Sequence, residues 1–69
     1  DRTAIVEIAI FDVLGRRLRI LADGPFDAGS HRLRWDGHDA GGAEVASGTY
    51  FYRLNSEDHS LSRPMTLLR

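Results

Sequence analysis

The chain has 69 residues, 42% of them hydrophobic and 28% charged, with a formal net charge of -1. These values are typical of one globular domain that is too small to enclose a deep active site, and they do not indicate nucleic acid as a partner. The sequence has no cysteine, which excludes disulfide bridges and thiolate metal sites. No apolar run reaches the roughly 18 residues that a membrane span needs, so we expect no span.

The first predicted strand covers residues 4–11, where apolar residues alternate and β-branched residues are frequent. One face of this strand is wholly apolar and the other is only partly polar, which indicates a central strand that is covered on both sides. Residues 12–15 follow as a turn, in which Gly15 is free to adopt a positive φ.

The second and third predicted strands cover residues 16–21 and 31–35, and a loop rich in Gly, Pro and Asp joins them at residues 22–30. Alternation directs Leu18 and Ile20 of the second strand and Leu33 and Trp35 of the third strand inward, and it directs the arginines outward. If both strands belong to one sheet, the outward arginines form either a solvated face or a ridge that would meet a phosphate, a sulfated glycan or an acidic protein: Arg17, Arg19, Arg32 and Arg34.

Residues 36–47 are rich in Asp and Gly and are predicted to form turns, with a short extended segment at residues 44–45. Asp36 and Asp39 are spaced as in a calcium loop, but a calcium ion needs about six to eight oxygen ligands. Asx turns explain the same residues without an ion. We therefore expect neither a metal site nor another cofactor.

The fourth predicted strand covers residues 48–54 and places Tyr50 on the opposite face from Phe51. The phase of Tyr50 and Trp35 predicts core packing, with the tyrosine hydroxyl bonded to nearby backbone, rather than a carbohydrate platform. Phe51 is then the better candidate for a contact with a partner.

The last predicted strand covers residues 59–68 and sets Leu61, Met65 and Leu67 on one side. Pro64 cannot donate a ladder hydrogen bond, which indicates an edge strand or a bulge. Short strands with regular turns predict an all-β antiparallel sandwich, and a small open barrel is the alternative.

Four segments of the chain, in this order, resemble the immunoglobulin-like domain shared by the flagellar hook-capping protein and the carboxy-terminal modules of many secreted bacterial proteins: FDVLGRRLRIL, WDGHDAGG, VASGTYFYRL and RPMTLLR. The resemblance runs from about residue 4 to residue 69. It implies a single domain over residues 1–69, an immunoglobulin-like antiparallel sandwich of about five to seven short strands that lacks the usual first strand. From their phase and from the turn residues among them, we expect structural roles for five residues: Trp35, Asp36, Gly37, Gly48 and Tyr50.

The closing segment looks most like the secretion-type modules, which serve as carboxy-terminal sorting and attachment signals for type IX secretion. Pro64 stands where a second basic residue is common in that group. We therefore expect a non-catalytic adaptor at the carboxy terminus of a larger exported protein, at the cell surface or outside the cell, with the secretion machinery or the parent protein as its partner. By this resemblance, the signal uses the following positions: Gly48, Tyr50, Arg63, Met65, Leu67, Leu68 and Arg69.

Two other functions stay open. The missing strand would leave an open sheet edge beside residues 4–11, which an extended segment of a neighbouring copy would complete, giving a homo-oligomer by strand exchange. The second open function is that of a flagellar hook-capping scaffold domain. In each case we expect no enzyme, because Ser47 lacks a nucleophile elbow and a His/Asp partner.

Overall fold

A computed structural model of the protein describes residues 3–27 and 33–68, with side chains over residues 4–26 and 33–68. These residues form four strands: β1 (Thr3–Phe11), β2 (Arg17–Asp27), β3 (Gly48–Asn55) and β4 (Ser60–Leu67). All pairs are antiparallel, and the strands make one sheet in the order β2-β1-β3-β4. The predicted all-β antiparallel class is confirmed, and the described ranges contain no helix that is long and apolar enough to cross a membrane.

β1 lies in the interior of the sheet, because it pairs with β2 on one side and with β3 on the other. This confirms the central position predicted for residues 4–11. The open edge predicted beside the same residues is largely wrong, since β3 pairs with residues 7–11 and only residues 3–6 extend past its end. The two edges of the described sheet are formed by β2 and β4.

Cross-strand register sorts the side chains onto two faces, because directly opposite residues point to the same side of a sheet. The core face is mainly apolar: Val6, Ile8, Ile10, Tyr50, Tyr52, Leu54, Leu61, Met65 and Leu67. The outer face is mixed: Ile5, Glu7, Ala9, Phe11, Phe51, Arg53 and Pro64. As predicted, Pro64 lies in an edge strand, where a missing N–H is tolerated.

β2 is longer than the sequence predicts, since residues 22–27, expected to belong to a loop, continue the strand. β1 provides the reason, because its extended residues pair with this whole segment and place Ile5 opposite Pro25. Pro25 is compatible with an edge strand, and tertiary pairing overrides the local turn preference of Gly and Pro. Residues 28–30 of the predicted loop lie outside the described part.

Two bulges in β2 alter the direction of its side chains. Leu18 and Leu21 are skipped in the pairing with β1. Each skipped residue shifts the alternation by one position. Arg19 therefore lies opposite Ile10 on the core face, whereas Ile20 lies on the outer face and is 38% exposed. Both positions are the reverse of the sequence prediction.

The third predicted strand, at residues 31–35, is not confirmed. Residues 33–35 form no strand, and residues 31–32 lie outside the described part of the chain. A hydrogen bond of 2.9 Å from the Trp35 indole to the carbonyl of His38 bends the chain back instead. Residues 33–47 form an irregular segment in which His38 and Glu44 make an isolated antiparallel bridge. Glu44 thus takes part in the short extended segment that the sequence predicts.

The buried core is small. Among the described hydrophobic residues, Ala9, Ile10 and Tyr50 are buried. Trp35, from the irregular segment, packs against Tyr50 and covers one end of the core face. The cover is incomplete elsewhere, because Leu61 on the same face is 40% exposed. One four-stranded layer with one partly covered face is what part of a two-layer domain presents.

Candidate interaction surfaces

An aromatic pair joins the irregular segment to the sheet. The rings of Trp35 and Tyr50 are in edge-to-face contact, with their centroids 5.2 Å apart. The Tyr50 hydroxyl donates a 2.6 Å hydrogen bond to the carbonyl of Ala46, and the Trp35 indole donates to the carbonyl of His38. Both rings and both polar atoms are thus used within the fold, which favours a core role over a carbohydrate platform.

Arg19 connects β2 to the same irregular segment. Its Nη1 lies 3.3 Å from Oδ1 of Asp36 and donates a hydrogen bond to the carbonyl of His38, also at 3.3 Å. The Arg19 side chain is 29% exposed, and its Nε is buried without a hydrogen-bond partner among the described residues. Arg19 therefore acts as a tie between sheet and loop.

The arginine ridge predicted from the sequence is not formed. Arg19 lies on the core face, whereas Arg17 lies opposite Phe11 on the outer face and is exposed. Arg34 is exposed in the irregular segment, which joins no sheet, and Arg32 lies outside the described residues. The prediction assumed a regular alternation, which the bulges of β2 break, and a second arginine-bearing strand, which residues 33–35 do not form.

Asp36 and Gly37 form the turn that places His38. Oδ1 of Asp36 accepts a hydrogen bond from the backbone N–H of His38 at 3.0 Å, and the buried Gly37 offers its carbonyl to the N–H of Val45. The backbone hydrogen bond from His38 is the largest cause that lowers the pKa of Asp36, and the charges of His38 and Arg19 lower it further. Asp36 is therefore held ionised as part of the turn.

Two turns of the chain share one geometry. In the turn between β1 and β2, Oδ1 of Asp12 accepts the backbone N–H groups of the second and fourth following residues at 2.9 Å. In the irregular segment, Oδ1 of Asp39 accepts the corresponding N–H groups at 3.0 Å. Gly15 and Gly42 stand three residues after these aspartates, with φ of 84° and 88°. The sequence interpretation did not pair the two turns, although the spacing D-x-x-G occurs in both.

These turns account for the carboxylates that resemble a calcium loop. The Oδ1 atoms of Asp36 and Asp39 both accept hydrogen bonds from backbone N–H groups. In the part of the chain that the structure describes, no group of three or more His, Cys, Asp or Glu side chains is placed to hold a metal ion. The two carboxylates serve the backbone of the loop.

A shallow groove of about 440 Å³ lies between the β1–β2 turn and the beginning of β3. Val13 and Leu14, at the tip of the turn, line one side and are 66% and 74% exposed. Leu18, Val45 and Tyr50 also line the groove. An open apolar groove of this kind suits side chains of another protein better than a small polar substrate.

The outer face of the sheet combines aromatic and charged residues. Phe51, predicted from the sequence as a contact residue, is half-buried and lies opposite Phe11. The guanidinium carbon of Arg53 lies 4.6 Å from the centre of the Phe11 ring, which is a cation–π geometry. Phe51 is thus part of a surface that also presents an arginine stacked on an aromatic ring.

The residues predicted to form a sorting signal lie on different parts of the fold. Arg63, Met65 and Leu67 share the core face of β4. Leu68 follows the strand and is 83% exposed, and Arg69 lies outside the described residues. Two further predicted positions belong to the first half of β3: Gly48 and Tyr50.

Comparison with known proteins identifies the fold. The sequence model of the FlgD Ig-like domain matches residues 2–60, which is most of the chain, whereas no curated protein and no solved structure gives a significant match. The predicted immunoglobulin-like fold is confirmed, and the four described strands fit part of such a domain. The match ends at the first residue of β4, so it gives no support to the type IX sorting assignment. The chain belongs to the FlgD Ig-like domain family.

Proposed function

We propose that the chain is a non-catalytic adaptor module that binds other protein segments, as a scaffold related to the flagellar hook cap. It belongs to the FlgD Ig-like domain family, and its core face is only partly covered, with Leu61 40% exposed. An apolar sheet face of this kind packs against protein when a partner supplies the second layer. The half-covered core face is the observation that carries the proposal.

The turn between β1 and β2 offers a second place for protein contacts. Val13 and Leu14 are exposed at its tip, while the backbone of the turn is held by Asp12. Side chains on a fixed backbone lose less conformational entropy on binding than side chains on a mobile loop. This arrangement supports a binding role for the module, with a protein as the expected partner.

Substitution of the core face tests the proposal in the host that encodes the protein. Leu61→Glu places a carboxylate on the apolar face, where it would oppose packing of a partner layer. We expect fewer or shorter flagellar hooks by electron microscopy, with the protein itself present at its normal level. Deletion of residues 3–68 should give the same defect in stronger form.

Thr66→Glu is the matched control, because Thr66 is also an exposed residue of β4 but lies on the outer face. It should leave the hooks unchanged. Normal hooks in both the deletion strain and the Leu61→Glu strain would contradict the scaffold proposal. If the hooks are normal but the protein that contains this domain is retained inside the cell, the sorting role would replace the scaffold proposal.

The terminal sorting role is a second proposal, with a location at the cell surface or outside the cell. It is supported by the common face of Arg63, Met65 and Leu67 on an edge strand and by the exposed Leu68 that follows it. With Met65 and Leu67 replaced by Ser, a reporter fused to the chain should then stay inside a host that has type IX secretion. Export of the same amount of reporter as with the unchanged chain would contradict the sorting role.

A further inference from the structure

The outer face of the sheet arranges its charges in separate rows. Asp23 of β2 lies opposite Glu7 of β1 and forms an acidic row. Nearer the β1–β2 turn, Arg17 lies opposite Phe11. Arg53 lies opposite Ala9, but its guanidinium reaches the Phe11 ring, so the two guanidinium groups form the basic row. Four strand residues at about 3.3 Å each put the two rows about 13 Å apart.

No cation among the described residues forms an ion pair with the acidic row. Glu7 and Asp23 carry like charges at directly opposite positions, which destabilises a sheet. Neither of them forms an ion pair with another described residue, and Arg17 and Arg53 form none with a described carboxylate. Among the described residues, the outer face therefore presents two carboxylates and two guanidinium groups that form no ion pair, although Nε of Arg53 donates a 3.4 Å hydrogen bond to the hydroxyl of Ser62.

We infer that the outer face binds the outer face of a second copy of this chain in an antiparallel, two-fold arrangement. The two-fold axis crosses the strands at the row of Ala9, midway between the acidic and basic rows. This rotation brings Glu7 over the guanidinium of the partner's Arg53. It brings Asp23 over the partner's Arg17, and the symmetry forms each pair twice.

The row on the axis allows the two sheets to approach closely. Ala9 has a short side chain that is 3% exposed, and Ile20 beside it in β2 is 38% exposed and apolar. Arg53, beside Ala9 in β3, extends its guanidinium away from this row to the Phe11 ring. A two-fold axis parallel to the strands would set the acidic row against another acidic row. Charge complementarity therefore selects the antiparallel arrangement, in which each acidic row meets a basic row.

The outer face is small, so we expect weak self-association. Four strands about 4.8 Å apart and rows that span about 20 Å give about 400 Å² per partner, half of a standard interface. Ion pairs at its rim are screened by salt, because the Debye length is about 8 Å at physiological ionic strength. The dimer should need high protein concentration and low salt. This inference does not depend on the proposed adaptor function.

Sedimentation velocity of the full chain over a concentration series tests the dimer. The dissociation constant should rise at least about tenfold from low to high salt, as expected for charge-dependent association. An acidic variant carries Arg17→Glu and Arg53→Glu, and a basic variant carries Glu7→Arg and Asp23→Arg. Each variant alone should be monomeric, whereas an equimolar mixture of the two should recover the dimer.

Recovery in the mixture also shows that both variants are folded, so misfolding cannot imitate the expected result. Arg34→Glu is the control, because it reverses an exposed arginine outside the sheet and should leave the dissociation constant unchanged. If charge reversal unfolds the chain, the double variant Arg17→Gln and Glu7→Gln should weaken the dimer while keeping the circular dichroism of the wild type. A wild-type chain that stays monomeric in low salt, an unchanged constant in the neutral variant, or folded variants that do not pair on mixing would overturn the inference.

Discussion

Aspartate side chains fix the turns of this protein by accepting hydrogen bonds from the backbone that follows them. Asp12 and Asp39 each bind two N–H groups through one oxygen, so each short side chain organises four further residues. Asp12 also accepts a 2.8 Å hydrogen bond from Nε of Arg16. At the scale of single residues, the carboxylates of Asp12 and Asp39 thus stabilise the fold.

Acidification should reveal this role of Asp12. Its pKa lies below the ordinary value of 3.8, first because the backbone N–H of Arg16 donates to it, and the Arg16 side chain adds to the effect. In the folded chain, Asp12 therefore stays ionised at pH values at which the same side chain of the unfolded chain has already bound a proton. The stabilisation by the ionised Asp12 is present above pH 3.8 and is lost as the pH falls through the pKa of the folded state. We expect Tm, followed by circular dichroism, to decrease as the pH falls below this value.

Asp12→Asn separates hydrogen bonding from charge. The amide oxygen still accepts the two backbone hydrogen bonds, but the side chain neither titrates nor forms an ion pair with Arg16. This variant should have a shallower decrease of Tm in acid, with part of the decrease left because the pKa of Asp36 is lowered too. A decrease as steep as that of the wild type would contradict the assignment, and Asp58→Asn, in the exposed β3–β4 turn, is the control.

The hydroxyl of Tyr50 should contribute measurably to stability. Tyr50→Phe keeps the ring against Trp35 but removes the 2.6 Å hydrogen bond to the carbonyl of Ala46, which should cost about 1 kcal/mol in the free energy of unfolding. Tyr52→Phe is the matched control, since its hydroxyl has no hydrogen bond to a described residue. Denaturant titration distinguishes the two, and equal effects would show that the hydrogen bond to Ala46 is unimportant.

Strands differ in how far their sequences predict them. β1, β3 and β4 follow simple alternation, and all six of their predicted ends lie within one residue of the structure. β2 does not, because two bulges interrupt its alternation and because Gly24 and Pro25 belong to a strand through pairing with β1. Pairing between distant segments is not encoded in the local pattern, so neither feature follows from the segment alone.

The bulges of β2 give neighbouring arginines different tasks. Arg19→Glu would place a carboxylate beside Asp36 on the core face and remove the tie to the carbonyl of His38, so Tm should fall clearly. Arg17→Glu alters an exposed residue of the outer face and should change Tm little. Thermal melts at low protein concentration compare the two variants as monomers. Similar values of Tm for both would indicate that the alternation continues unbroken through β2.

For the whole molecule, the sequence predicted the fold class and the aromatic core, but it did not predict how the charged residues are arranged on the two faces of the sheet. The inward phase of Tyr50 follows from the alternation of β3, and Trp35 packs against it from an irregular segment although the strand that predicted its phase is not formed. The arginine ridge required two strands to share a sheet. The charge rows of the outer face depend on cross-strand register, which places Asp23 opposite Glu7. Register follows from the bulges and turns of the folded chain, so a surface that depends on it is found only in the structure.

Both outermost strands of the sheet carry a proline, Pro25 in β2 and Pro64 in β4. A proline nitrogen offers no donor to an incoming strand, and its ring occupies the space that such a strand would need. Further chains are therefore hindered from growing onto either side and from stacking into cross-β ribbons. We therefore expect the protein to form fibrils slowly, although apolar side chains such as Leu61 are exposed to water.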